Sequence, residues 1–69
     1  MRTTTDLKHI ILTQAGELFA KQGYTATSNK QIAQAADCTT AALYYYFPEG
    51  KAQILREVIH SYTLDLRQL

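Results

Sequence analysis

The sequence has few of the residues that support exported, membrane-spanning or metal-bound folds. It has one cysteine, Cys38, which excludes an internal disulfide, and no second cysteine or histidine stands at metal-ligand spacing from it. No apolar run approaches the length that crosses a bilayer, and the polar start MRTTTDLK lacks the apolar stretch of a secretory signal. We therefore expect a cytoplasmic protein with no metal, no cofactor and no membrane partner.

Charge of either sign is also scarce. A net charge of +1 is weak support for a nucleic-acid partner, because domains that bind nucleic acids are often more basic. The charges are unevenly placed, with Lys8, Lys21 and Lys30 in the first half and Glu49, Glu57 and Asp65 in the second. One end of the molecule can therefore be positive. His9 and His60 stand far apart, and no nucleophile with a base, carboxylate pair or metal set forms a local pattern, so no catalytic residues and no enzyme are expected.

With one proline and three glycines against 46% hydrophobic residues, the chain has the composition of a small, mainly helical domain. Its first apolar stripe has the spacings of three, four and seven that are typical of an amphipathic helix: Leu7, Ile10, Ile11, Ala15, Leu18 and Phe19. A threonine at positions 3 to 5 can cap the start of this helix 1. Gly23 can end it, because glycine tolerates the left-handed conformation on which helices often end.

A short helix 2 is predicted from about Asn29 to Ala36. Ser28 and Gln31 match the capping-box pattern, in which each side chain satisfies a free backbone N–H at the helix start. The residues expected to face inward are Ile32, Ala33 and Ala36. Asp37-Cys38 then interrupts the helix.

Helix 3 should begin after its expected cap, Thr39, and run to Phe47, where Pro48-Glu49-Gly50 breaks the pattern. Helix 4 should follow from Lys51, with the apolar stripe Ile54, Leu55, Val58, Ile59, Tyr62 and Leu66. This stripe is still apolar where the sequence stops, so its far end is expected to pack against something else. The fold class predicted is all-α, a small bundle of three helices plus the start of a fourth.

Three consecutive tyrosines in helix 3 cannot all face one core, since successive helical residues point about 100° apart. If Leu43 is the centre of the inward face, Phe47 falls within about 40° of it and Tyr45 about 160° away. Ala41 shares the outward face with Tyr45. The two flanks are formed by Thr40 with Tyr44 and by Ala42 with Tyr46. This surface carries methyl groups, hydroxyls and phenols but no charge.

Two short helices across a tight turn are typical of a helix-turn-helix, whose second helix can enter the DNA major groove. There, alanine and threonine methyls can meet the thymine methyl, and tyrosine hydroxyls can reach phosphate oxygens. Free N–H groups around Ser28 to Lys30 add partial positive charge suited to a phosphate. Lys30 and Lys51 flank the motif and would add counterion-releasing contacts.

These segments resemble those of a known protein family. The segment TSNKQIAQAADCTTAALYYYF at 27 to 47, with LFAKQGY at the end of helix 1, is similar to the amino-terminal DNA-binding domain of TetR-type transcriptional regulators. The resemblance covers nearly the whole chain and implies a homeodomain-like helix-turn-helix at about 28–47 within a domain of residues 1–69. Residues 51–69 would then be the start of a helix that leads to a ligand-binding and dimerisation domain outside this chain.

The resemblance also implies DNA contacts, where positions match. The family's phosphate-binding helix start corresponds to Thr27, Ser28, Asn29 and Lys30. Its recognition helix corresponds to Thr39 through Tyr46, with Thr40, Ala41 and Tyr45 placed for bases and Tyr44 and Tyr46 for the backbone. Lys51 corresponds to a lysine that opens helix 4 as a further phosphate contact. The chain departs from the family in two places: Asp37 stands where glycine is common, and the PEGK connection is one residue longer than the commonest form.

For the whole protein, the resemblance implies a regulator, usually a repressor. Such a protein binds a palindromic operator in double-stranded DNA as a homodimer and releases it when a small-molecule inducer binds the carboxy-terminal domain. The chain would then be a piece of that longer protein, lacking the ligand pocket and dimer interface.

A structural interpretation competes at several positions. Tyr24, Tyr46 and Tyr62 are expected in the core or at its rim, because aromatic residues at helical spacing usually pack. Tyr44 can pack and contact a phosphate, and Cys38 is expected to be a buried turn residue. The alternative function is a protein-interaction module that uses the tyrosine face of helix 3 and the apolar stripe of helix 4.

Overall fold

The computed structural model describes the backbone of residues 5–68 and the side chains of residues 7–61. This part of the chain contains helices and no strands, which confirms the all-α prediction. The helices are α1 (Thr5–Gln22), α2 (Asn29–Ala35), α3 (Thr40–Tyr46) and α4 (Lys51–Gln68). The cap predicted at Thr3 to Thr5 lies outside the described side chains.

The core forms where α1 packs against the other three helices and α2 packs against α3. Its buried members are Ile11, Ala15, Ile32, Ala33, Ala36, Leu43, Phe47, Ile54 and Val58. Every helix contributes to this set, and burial of each large apolar side chain contributes about 1.5–3 kcal/mol. The inward faces predicted for helices 2 and 3 are confirmed, since Ile32, Leu43 and Phe47 are each fully buried.

Two residues with left-handed backbone set the ends of α1 and α2. Gly23 has φ +91° and its N–H donates to the Phe19 carbonyl at 2.9 Å, so it ends α1 as predicted. Asp37 has φ +59°. The N–H groups of Asp37 and Cys38 donate to the carbonyls of Gln34 and Ala33, which is the Schellman arrangement that closes a helix. Aspartate therefore adopts the left-handed turn at the position where the resemblance leads us to expect glycine.

The connection from α3 to α4 is set by Phe47, Pro48 and Gly50. Helix 3 was predicted to include Phe47, but α3 ends at Tyr46 and Phe47 is its C-cap, with φ −133° and ψ 78°. The reason is Pro48, whose ring disfavours a helical backbone at the residue before it. Gly50 has φ +72° and its carbonyl accepts the N–H of Ile54 at 3.0 Å, which begins the hydrogen bonding of α4.

The apolar stripe of α4 is only partly covered. Ile54 and Val58 are buried and Leu55 is half-buried, whereas Ile59 is 54% exposed. The centre of the stripe therefore faces α1, and Ile59 lies at its edge. Tyr62 and Leu66, which were predicted to continue the stripe, lie outside the described side chains. Over the described residues, no helix combines the length and the apolar character needed to cross a membrane.

Candidate nucleic-acid interface

The outer face of α3 is exposed and uncharged. Tyr45 is 79% exposed, as predicted from its position opposite Leu43, and Thr40 and Ala41 are exposed beside it. Tyr44 is 44% exposed on one flank. Thr39 is the N-cap of α3, as predicted, and its hydroxyl accepts the Ala42 N–H at 3.0 Å. The cap fixes the first turn of the helix that carries these side chains.

Tyr46 supports this face from the core side. Its half-buried ring packs against the core cluster, as predicted. The Tyr45 ring meets it edge to face, with ring centroids 5.0 Å apart and planes at 88°. This is a favourable geometry for an aromatic pair. The contact therefore restricts Tyr45 while leaving most of its surface accessible.

The start of α2 lies close to α3 and is held by the predicted capping box. The Gln31 N–H donates to the Ser28 hydroxyl and the Ser28 N–H donates to the Gln31 side chain, both at 3.0 Å. This pairing uses two of the N–H groups at the helix start and leaves those of Asn29 and Lys30 outside the box. Ser28 and Lys30 are exposed.

The loop before α2 is tied to both α1 and α4. Thr27 is 1% exposed, and its hydroxyl donates to the Gly23 carbonyl at 2.8 Å. The Lys51 ammonium donates to the carbonyls of Tyr24 at 2.9 Å and Thr27 at 2.8 Å, and lies 4.2 Å from the Tyr24 ring centroid. Two of its three N–H donors are thus used within the chain. Thr27 and Lys51, both predicted as phosphate contacts, are placed to support the start of α2.

Asn29, also predicted as a phosphate contact, is turned toward α3. Its amide nitrogen donates to the Tyr44 hydroxyl oxygen at 3.0 Å, which joins residues fifteen positions apart. The amide also lies against Gly50, where an added Cβ would stand 3.1 Å from both of its terminal atoms. This link and that of Lys51 could not be predicted from the sequence, because no local spacing signals a contact made by tertiary packing.

Tyr24 and Lys8, two other residues considered in the sequence, make contacts within the domain. Tyr24 is 37% exposed and its ring lies 5.5 Å from that of Phe19, so it forms part of the core rim as predicted. Lys8 lies 3.8 Å from the carboxylate of Glu57 on α4. Tyr62 is outside the described side chains.

Cys38 lies in the turn, as predicted, but it is only half-buried against the core, whereas a buried residue was expected. Burial raises the pKa of its thiol, and the nearby Asp37 carboxylate raises it further. The thiol therefore stays protonated at neutral pH, which makes it a poor nucleophile.

A capped seven-residue helix, a tight left-handed turn and a second capped seven-residue helix with an exposed outer face form a helix-turn-helix domain. The chain belongs to the tetR family of bacterial regulatory proteins, whose family model matches residues 11–58. It is thus a DNA-binding transcriptional regulator domain, from a family of regulators rather than enzymes.

Three curated relatives come from Bacillus subtilis (strain 168). The chain is 36% identical over 63 residues to the HTH-type transcriptional regulator LmrA, covering 91% of this chain and 34% of that protein. It is also 36% identical over 63 residues to the uncharacterized HTH-type transcriptional regulator YxaF, covering 91% of this chain and 32% of that protein. A third, the uncharacterized regulator YuxN, is 36% identical over 53 residues, or 77% of this chain and 18% of its own length. No solved structure matches the chain at a significant level. The chain thus spans about a third of the first two relatives.

Proposed function

We propose that this domain reads a specific double-stranded DNA sequence by inserting α3 into the major groove. The observation that carries the proposal is the exposed, uncharged outer face of α3, on which Tyr45 is 79% exposed beside the capped start of α2. Thymine methyls and the hydrogen-bonding edges of bases are suitable partners for a face of methyl groups and hydroxyls. Thr40, Ala41 and Tyr45 are the proposed base contacts.

The backbone contacts come from the flanks of α3 and the start of α2. Tyr44 and Tyr46 can donate hydroxyl hydrogens to phosphate oxygens, and the exposed Thr39 is the N-cap at the start of α3. Ser28, Asn29 and Lys30 offer a hydroxyl, free backbone N–H groups and an ammonium. Lys51 can use its third N–H. Thr27 supports this region from within the domain, because it is buried and its hydroxyl donates to the Gly23 carbonyl.

For the whole protein, we propose a cytoplasmic, ligand-responsive repressor that binds a palindromic operator as a homodimer. The relatives' own length leaves room for a second domain, because about two thirds of LmrA and YxaF lies outside the part that this chain covers. Residues 51–69 would lead from the DNA-binding domain, with its motif at about 28–47, into the domain that binds the inducer and pairs the subunits. A single half-site reader would bind weakly, since pairing two half-sites supplies much of the affinity.

Salt dependence tests the DNA contacts. Each phosphate neutralised by a lysine contributes about 0.9 to the slope of log affinity against log salt. Lys30→Gln is expected to reduce that slope by about this amount on a short mixed-sequence duplex, measured by fluorescence anisotropy. Lys8→Gln is the matched control, because Lys8 already pairs with Glu57, and it is expected to leave the slope unchanged.

Equal slopes for Lys30→Gln and the unaltered chain would remove Lys30 from the interface. Affinity for the duplex that did not respond to salt at all would contradict the phosphate contacts as a group. An apolar binding surface for a protein partner would show that insensitivity, and the interaction-module alternative would then be preferred.

A further inference from the structure

The start of α2 and the recognition helix are joined by one side-chain hydrogen bond at the surface. The Asn29 Nδ2 donates to the Tyr44 Oη at 3.0 Å. Asn29 is half-buried, whereas Tyr44 is 44% exposed, so the bond lies at the edge of the proposed DNA interface. Both residues were predicted as independent backbone contacts, but the geometry makes them a pair.

The polarity of this bond determines what Tyr44 can offer a ligand. An amide nitrogen only donates, so the phenol oxygen is the acceptor. The phenol has a single hydrogen, which is then free to be donated to another group. With its ring exposed, Tyr44 is left as a donor toward an acceptor oxygen outside the protein, and phosphate oxygens are the acceptors that the DNA backbone supplies.

The Asn29 amide is held in place by packing. Gly50 is buried beside it, and a Cβ at that position would stand 3.1 Å from both Nδ2 and Oδ1. Oδ1 is buried and has no hydrogen-bond partner among the described residues. The amide that donates to Tyr44 through Nδ2 thus leaves Oδ1 on the buried side, where a partnerless acceptor is uncommon in folded proteins.

We propose that Asn29 is a positioning residue, which holds the Tyr44 phenol and directs its hydroxyl hydrogen to a phosphate oxygen of bound DNA. The inference rests on the proposed function, because it assigns the donor and its support within the same interface. Asn29 acts through Tyr44, so its side chain does not itself contact the phosphate.

A double-mutant cycle tests the pairing, with affinity for a short mixed-sequence duplex measured at low salt. Tyr44→Phe removes the hydroxyl and is expected to weaken binding by about ten- to a hundredfold, the range for one hydrogen bond to a charged group. Asn29→Ala is expected to cause a similar or smaller loss. The double variant should lose no more than the larger single loss, because both changes remove the same contact. If the fold losses of the two single variants multiply in the double variant, the pairing is wrong. Unchanged affinity of Tyr44→Phe would also contradict it.

A shape-matched variant separates positioning from simple structural support. Asn29→Asp keeps the size of the side chain, but its carboxylate only accepts and would take the phenol hydrogen away from the DNA. The affinity loss from Asn29→Asp should therefore be larger with Tyr44 present than in the Tyr44→Phe background, where only the added charge acts. Equal losses in the two backgrounds would overturn the proposal. If the unaltered chain binds no duplex, the proposed function itself is wrong. If it binds and its affinity falls with salt as expected for phosphate contacts, the variants test only the role of Asn29.

Discussion

Leu43→Ala is expected to lower the free energy of unfolding by about 2–5 kcal/mol, the range for truncating a large buried side chain. Leu43 is fully buried in the cluster that joins all four helices, so the cavity would lie at their common contact. A domain has roughly 0.05–0.15 kcal/mol of stability per residue, which leaves only several kcal/mol for a chain of this length. The variant should therefore be largely unfolded at a temperature where the unaltered chain is folded, as measured by circular dichroism during urea or thermal unfolding.

The matched control lies two residues along the same helix. Tyr45→Ala removes a larger side chain from a position that is 79% exposed, so its cost in stability should be small by comparison. An unchanged melting curve for Leu43→Ala would contradict the placement of the core. Extensive unfolding of Tyr45→Ala would contradict the outward placement of Tyr45.

The same Tyr45→Ala change is expected to have its large effect on DNA binding. Removing one good side-chain contact to a base costs about 1–3 kcal/mol, which corresponds to roughly 5- to 150-fold in affinity. The measurement compares the variant with the unaltered chain on two duplexes, one selected from a random pool and one of mixed sequence. The loss should be greater on the selected duplex, because a base contact contributes to specific binding and a phosphate contact to both.

Tyr45→Phe divides this effect between the ring and the hydroxyl. The ring still packs edge to face on Tyr46, so α3 should keep its geometry. Affinity close to that of the unaltered chain would assign the contact to the apolar ring, and a loss close to that of Tyr45→Ala would assign it to the hydroxyl. Equal loss on the two duplexes for Tyr45→Ala would contradict a role in reading sequence.

Features of the fold that depend on short spacings could be predicted from the sequence. The capping box of Ser28 and Gln31 uses residues three positions apart, and its two hydrogen bonds are present. The outward position of Tyr45 follows from the angle between helical residues once Leu43 is placed in the core. Asp37 also adopts the left-handed turn, since aspartate tolerates that conformation better than most residues.

The supports of the candidate site could not be predicted in the same way. Lys51 was predicted as a phosphate contact, and the structure adds that its ammonium donates to two loop carbonyls more than twenty residues away. Asn29 likewise turns to Tyr44. Both residues lie at the helix starts where they were predicted. Their side-chain partners are set by how the helices pack, which no local sequence pattern encodes. How much of the apolar stripe of α4 is buried depends on the same packing, which leaves Ile59 exposed at its edge.

We propose that the start of α2 and the outer face of α3 bind DNA together. The most direct test is an amide chemical-shift map of this chain, titrated at low salt with a short mixed-sequence duplex and repeated at high salt. We expect shifts concentrated at residues 28 to 30, 39 to 46 and 51, which fade as salt displaces the phosphate contacts. Shifts concentrated on α4, or no shifts in those three regions at low salt, would contradict it.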